Sequence, residues 1–203
     1  MLDVNIVPGN RKVRVALIVL ICAVLLVALS ALFATAGYFG IRALGMIGHA
    51  ASKTNGPTIR ATNQTCKITV PIGWSSINQL NRDAVISAAN LTVAEYFMVI
   101  CDPKGEAASG IDQYADFVSD AMVNRLQAGA KEEPTHLQIN GKPAIRFIIN
   151  GSYDKMDFVY ALTCVEGENH RYQLLGWTFK NRRPQAETHL ARISESWVEE
   201  TGR

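Results

Sequence analysis

The chain lacks the patterns that usually announce catalysis. It has no G-x-S-x-G elbow, no Walker lysine loop and no H-E-x-x-H pair, so the motif-bearing hydrolase and nucleotide chemistries lose their usual footing. Its four histidines, at 49, 136, 170 and 189, are widely separated and fall in an expected linker, a loop, a turn and a helix. A metal site built from His170 with Glu166 or Glu168 is weighed against a solvated turn, and the turn is preferred; no metal and no cofactor are expected. The four cysteines include no C-x-x-C, which removes the support for a redox enzyme. Adjacent acidic pairs, Glu132-Glu133 and Glu199-Glu200, read as solvent-facing charge, because paired catalytic carboxylates need a fixed separation across a cleft.

Positive charge is also scarce where nucleic acid would require it. Six Lys/Arg against Asp3 give residues 1–60 a net +5, so the formal +2 of the whole chain leaves residues 61–203 at −3. A mildly acidic domain without a Lys/Arg stripe has nothing to displace counterions from a phosphate backbone, and no nucleic-acid partner is expected.

What the sequence does have is a long apolar run. From Val15 to Ile41 there is no charged residue, and the core of the run reads LIVLICAVLLVALSALF. That exceeds the roughly 20 residues a helix needs to cross a bilayer, whereas a secretory signal's apolar region is about 7 to 15 residues long. The reading is an uncleaved transmembrane signal-anchor helix over 15–41, with the lipid bilayer as its partner. Ala34-Thr35-Ala36 carries a small-x-small pattern, and cleavage after Ala36 is the alternative. Arg11, Lys12 and Arg14 cluster directly before the run, which favours a cytoplasmic tail over 1–14 and an extracytoplasmic domain beyond. Residues 42–63, rich in glycine with Pro57, read as a juxtamembrane stalk, and 64–203 as a globular domain.

Within that domain the pattern is mixed. Lys67 to Ile72 alternates as a short strand ended by Pro71 and Gly73, Ala84 to Ala89 is an ambiguous apolar run, and Ala94 to Cys101 is a clearer strand. Ile111, Tyr114, Ala115, Val118, Ala121, Met122 and Leu126 recur at three- and four-residue steps, as on one face of a helix. Ser109-Gly-Ile-Asp112 is expected to cap it. Asn140-Gly141 suits a type I′ hairpin turn between Leu137–Ile139 and Ala144–Ile149, and Asn150-Gly151 and Glu166 to Asn169 are expected to turn the next connections. Strands over 156–165 and 171–179 are apolar on nearly both faces, which calls for cover on each side of a sheet. A last helix opens near Pro184 and aligns Ala186, Leu190, Ile193 and Trp197. Two helices and about six mostly antiparallel strands give an α/β/α sandwich. Tyr172 and Trp177, five apart in one strand, are expected on opposite faces. Cys66, Cys101 and Cys164 read as reduced thiols, with one disulfide among three possible pairs as the alternative.

The series "ITVPIGW", "EYFMVICDPK", "INGKPAIRFIINGS", "YALTCVEGENHRYQLLGWT" and "ETHLARISESW" resembles the PsbP/Mog1-like superfamily, in particular its bacterial exported or membrane-attached members. "VPIGW" and "YQLLGWT" are its most specific pieces, and the likeness spans most of residues 64–200. The resemblance implies accessory, binding or chaperone roles and no shared catalytic centre, so no functional residue is carried over from it. The expectation is therefore a membrane-anchored, non-catalytic extracytoplasmic module that binds a protein partner or assists assembly. The alternative is a small-molecule or lipid-binding domain, or a small enzyme, with a site near the 102–110 loop. Lys104, Glu106 and Ser109 are its candidate contacts, with Trp74 as an aromatic companion.

Overall fold

The computed structural model describes residues 56–78, 80–104 and 110–200. The expected membrane segment, residues 42–55 of the expected stalk, Glu106 and Ser109 lie outside the described residues. Among those described, no helix is long and apolar enough to cross a membrane.

The elements follow in the order β1 (Thr58–Arg60), β2 (Cys66–Thr69), β3 (Ser75–Ser76), β4 (Ala84–Asn90), β5 (Glu95–Pro103), α1 (Ile111–Val123), β6 (Gln127–Lys131), β7 (Thr135–Ile139), β8 (Lys142–Tyr153), β9 (Met156–Glu166), β10 (His170–Phe179), α2 (Arg183–Glu195) and β11 (Val198–Glu199). The main sheet is antiparallel, with strand order β3-β4-β5-β10-β9-β8-β6 and β7 sharing the outer edge of β8. Among the described residues it therefore has eight strands rather than about six. The extra ones are short and polar: β3 is two exposed serines, and β6 reads Gln-Ala-Gly-Ala-Lys, so neither carries the alternation that marks a strand. A second sheet, β1-β2-β11, has three strands. Its β1 lies within the stretch read from sequence as stalk, and Ile59 pairs with Ile68 of β2.

Period-two alternation divides the core between two faces. Phe97, Val99, Val165, Tyr172 and Leu174 pack with Ala186, Leu190 and Ile193 of α2 and with Cys66, Ile68 and Trp197 from the small sheet and its flank. Met98, Ile100, Leu162, Cys164, Leu175 and Trp177 pack instead with Ala115 and Val118 of α1. One helix thus covers each face, and the near-continuous burial of β9 and β10 follows from it. Tyr172 and Trp177 do face opposite ways: the Tyr172 ring lies 4.8 Å from Trp197, and the Trp177 ring stacks 5.4 Å from Tyr96. Burial of each large side chain contributes about 1.5–3 kcal/mol. At Gly176 α2 packs tightly on the sheet, since a Cβ there would stand 2.8 Å from Leu190 Cδ2.

Turn chemistry is confirmed at two expected places, Asn140-Gly141 and Glu166 to Asn169 between β9 and β10, and relocated at a third. Asn140 and Gly141 both have positive φ, 49° and 77°, and close the β7–β8 hairpin as a type I′ turn does. Asn150-Gly151 does not turn. It continues β8, paired with Val159 and Phe158, and the reversal comes at Asp154-Lys155, with φ of 47° and 64°. Gly151 serves packing instead, because a Cβ there would meet the Leu126 side chain at 2.6 Å. Leu126 itself lies beyond the end of α1 at Val123. The expected capping box is also displaced: the N-cap of α1 is Gly110, which offers no side-chain acceptor, and Asp112 in the first turn favours the helix dipole.

Candidate functional site

The polar cluster nearest the 102–110 loop is built where β5, β9 and β10 run past the apolar core under α1. Arg171 of β10 pairs with Asp102 of β5 on one side and Glu166 of β9 on the other, so one cation stands between two carboxylates in a single row across the sheet. Arg171 is only 7% exposed. Its Nε donates to Glu166 Oε2 at 2.9 Å, and its guanidinium carbon lies 5.2 Å from the centre of the Tyr114 ring. Lys104 Nζ reaches the other oxygen of Glu166 at 2.6 Å.

The second half of the cluster hangs on Asp102. Tyr114, from the second turn of α1, donates its hydroxyl to Asp102 Oδ2. Gln173 Nε2 donates to the same oxygen at 2.8 Å and lies 3.1 Å from the Tyr114 hydroxyl oxygen. Alternation along β10 makes this possible, since Arg171 and Gln173 share the face that Leu175 and Trp177 use further along. The backbone N–H of Lys104 donates to the carbonyl of Asn169 at 3.1 Å, which ties the start of the loop to the β9–β10 turn.

Two groups of the cluster are shifted by their surroundings. Burial raises the Glu166 carboxyl, but the hydrogen bonds and charges of Lys104 and Arg171 outweigh it, so the carboxyl stays below its ordinary range. Burial first, and then the negative charge of Asp102, push the Tyr114 hydroxyl well above its ordinary value. Tyr114 is therefore a hydrogen-bond donor and no base at neutral pH. The cluster's donors and acceptors are turned on one another, which is the arrangement of a clasp joining α1, the end of β5 and the β9–β10 turn.

Of the residues singled out from sequence, Lys104 is in this cluster. Trp74 is elsewhere: it is 4% exposed, packs in the core on the α2 side, and lies at the opposite end of the sheet, beside the β3–β4 pairing. Asp102, Tyr114, Arg171 and Gln173 were not singled out. By periodicity Tyr114 belongs to an apolar helix face, and a row formed by three strands distant in sequence leaves no spacing motif. Among the described residues no three His, Cys, Asp or Glu side chains converge as a metal site. Glu166, the suggested companion of His170, is spent on Lys104 and Arg171.

Further polar contacts lie outside the clasp. The Glu199 carboxylate accepts the Glu168 backbone N–H at 2.9 Å and lies 3.3 Å from Lys142 Nζ, fastening the C-terminal strand to the β9–β10 turn. Glu95, 2% exposed, lies 3.2 Å from Nδ1 of His189 on α2. An open depression on the outer side of α2 is lined by Pro184, Glu187, Thr188, Ala191, Arg192 and Glu195.

No family model matches the sequence, and no curated protein matches it. Solved structures do match the fold. Cyanobacterial PsbP (CyanoP) from Synechocystis sp. PCC 6803 superposes with a TM-score of 0.51 at 11% identity, covering 79% of this chain and 99% of that one. LpqN, involved in cell envelope biogenesis of Mycobacterium tuberculosis, gives a TM-score of 0.54 at 12% identity over 72% of this chain and 86% of its own. A protein from Bacteroides thetaiotaomicron gives 0.52 at 11% identity over 72% of this chain and 49% of its own. The domain has a PsbP/Mog1-like fold, as the resemblance implied. At these identities the likeness is one of fold.

Proposed function

We propose that the protein is a membrane-tethered, non-catalytic domain that binds a protein partner or assists assembly on the extracytoplasmic side of a membrane. The observation that carries this reading is the clasp itself. The cluster best placed to hold a ligand uses Lys104, Arg171 and Gln173 on its own carboxylates, Glu166 and Asp102. A substrate would have to compete with charge-assisted hydrogen bonds already made. The likeness to LpqN, an envelope-biogenesis protein, supports the accessory role, and the apolar run over residues 15–41 supports the tether.

Photo-crosslinking in intact cells tests the partner. A benzophenone side chain placed at exposed positions of the domain is expected to give one dominant, position-dependent protein adduct. Adducts that are diffuse and independent of position count against a partner-binding role. The orientation is tested separately, by a reporter fused after Arg203, which is expected to be active outside the cytoplasm only.

A further inference from the structure

The end of the sheet opposite the clasp carries the most exposed large apolar side chains among the described residues, Ile72 at 78% and Leu91 at 59%. They sit on neighbouring turns. Ile72 follows β2 in Val70-Pro71-Ile72-Gly73, and Leu91 follows β4 in Asn90-Leu91-Thr92-Val93. The turns abut, because a Cβ at Gly73 would stand 3.3 Å from Asn90 Nδ2, and Ser75 pairs with Ala89 just inside them. Neither turn contains a charged residue. Isolated exposed apolar residues are ordinary on a protein surface, but two on abutting uncharged turns form a common tip.

The chain enters the domain at that same tip. Gly56 is pressed against Val70 and Pro71, so closely that a Cβ on it would stand 1.8 Å from the Val70 carbonyl oxygen, and Val70 N–H donates to Pro57 O at 3.1 Å. The segment that precedes it, residues 42–55, is all that separates this point from the apolar run over 15–41. The charged end of the small sheet, where Arg60 and Lys67 meet Glu200 at 3.5 and 3.0 Å, points the other way along β2.

We propose that the Ile72–Leu91 tip rests on the lipid surface that the N-terminal segment anchors, fixing the domain with the clasp and the β9–β10 turn directed away from the bilayer. The occupant is lipid because the chain's own route to its apolar segment leaves from the tip, and because a charge-free pair of turns tipped with Ile and Leu loses no ion hydration on entering the interfacial region. This proposal rests on the membrane-tether reading.

The test uses the full chain, carrying Cys22→Ser and Cys101→Ser, reconstituted in phosphatidylcholine vesicles that contain doxyl-labelled lipid. A nitrobenzoxadiazole dye is attached in turn at Ile72→Cys, Leu91→Cys and, as the distal control, Glu168→Cys on the β9–β10 turn. Quenching by doxyl lipid is expected to be several-fold greater at 72 and 91 than at 168. Equal quenching at all three positions, with the protein still held by the vesicles after alkaline carbonate, overturns the docking face and leaves the tether standing. Release of the protein by carbonate overturns both. Shielding of positions 72 and 91 from aqueous iodide without doxyl quenching assigns the tip to a second copy of the chain and overturns lipid as its occupant.

Discussion

Arg171 and Glu166 face each other across β9 and β10, with Nε 2.9 Å from Oε2, on the face of the sheet that α1 covers. A buried guanidinium bracketed by carboxylates is costly to leave half-made. Replacing one partner strands the other, while replacing both by apolar groups of similar volume is far milder. Arg171→Ala is therefore expected to lower unfolding free energy by about 3 kcal/mol, and Arg171→Met combined with Glu166→Leu by clearly less. Urea unfolding of the two variants checks this; a double variant as damaged as the single one would contradict it.

Acid should weaken the same clasp. Lys104 and Arg171 hold the Glu166 carboxyl below its ordinary value of 4.5, so the folded state binds this proton less readily than the unfolded chain. The stabilisation is complete above that ordinary value and disappears as pH falls through the lowered folded one. Between pH 6 and pH 3 the urea midpoint of the parent is expected to fall further than that of Glu166→Gln. Parallel curves would show that the carboxylate is not linked to folding.

Gly176 is a packing glycine. Its missing Cβ leaves room for Leu190 Cδ2 at 2.8 Å and for Phe97 at 3.1 Å, both fully buried. Gly176→Ala is expected to cost about 1–3 kcal/mol, as overpacking of a filled core does. Thermal unfolding measures it, and an unchanged midpoint would mean that α2 can move away freely.

The thiols should separate by accessibility. Cys66 and Cys164 have no exposed surface, while Cys101 is partly exposed, and all three are free. Burial pushes the Cys66 thiol up to about 12, and burial raises the Cys164 thiol as well. Iodoacetamide at pH 8 is expected to modify Cys101 first and to reach Cys66 and Cys164 only on unfolding. Intact mass and peptide mapping decide it, and two of the three thiols resisting alkylation even when denatured without reductant would reveal a disulfide.

Much of the fold was readable from local pattern. The 156–165 and 171–179 strands, both helices and the Asn140-Gly141 turn each depend on residues within one turn or one strand of each other. Asn150-Gly151 misled because the same dipeptide serves as a turn or, as here, as a flat place in a strand where Leu126 packs. Which use applies is decided by a residue 25 positions away. The short strands β1, β3 and β11 are held by pairing with β2 and β4 and carry no period of their own. The clasp was hidden for the same reason. Lys104 drew notice through its loop, but Asp102, Arg171 and Glu166 become neighbours only through strand register.

The tether is tested most directly by the fate of the N-terminal segment in the cell. Alkaline carbonate extraction of membranes, followed by intact mass of the protein recovered, is predicted to leave the full-length chain in the pellet with residues 15–41 still attached. A product beginning at Gly37 in the soluble fraction would contradict the account of a membrane-tethered domain.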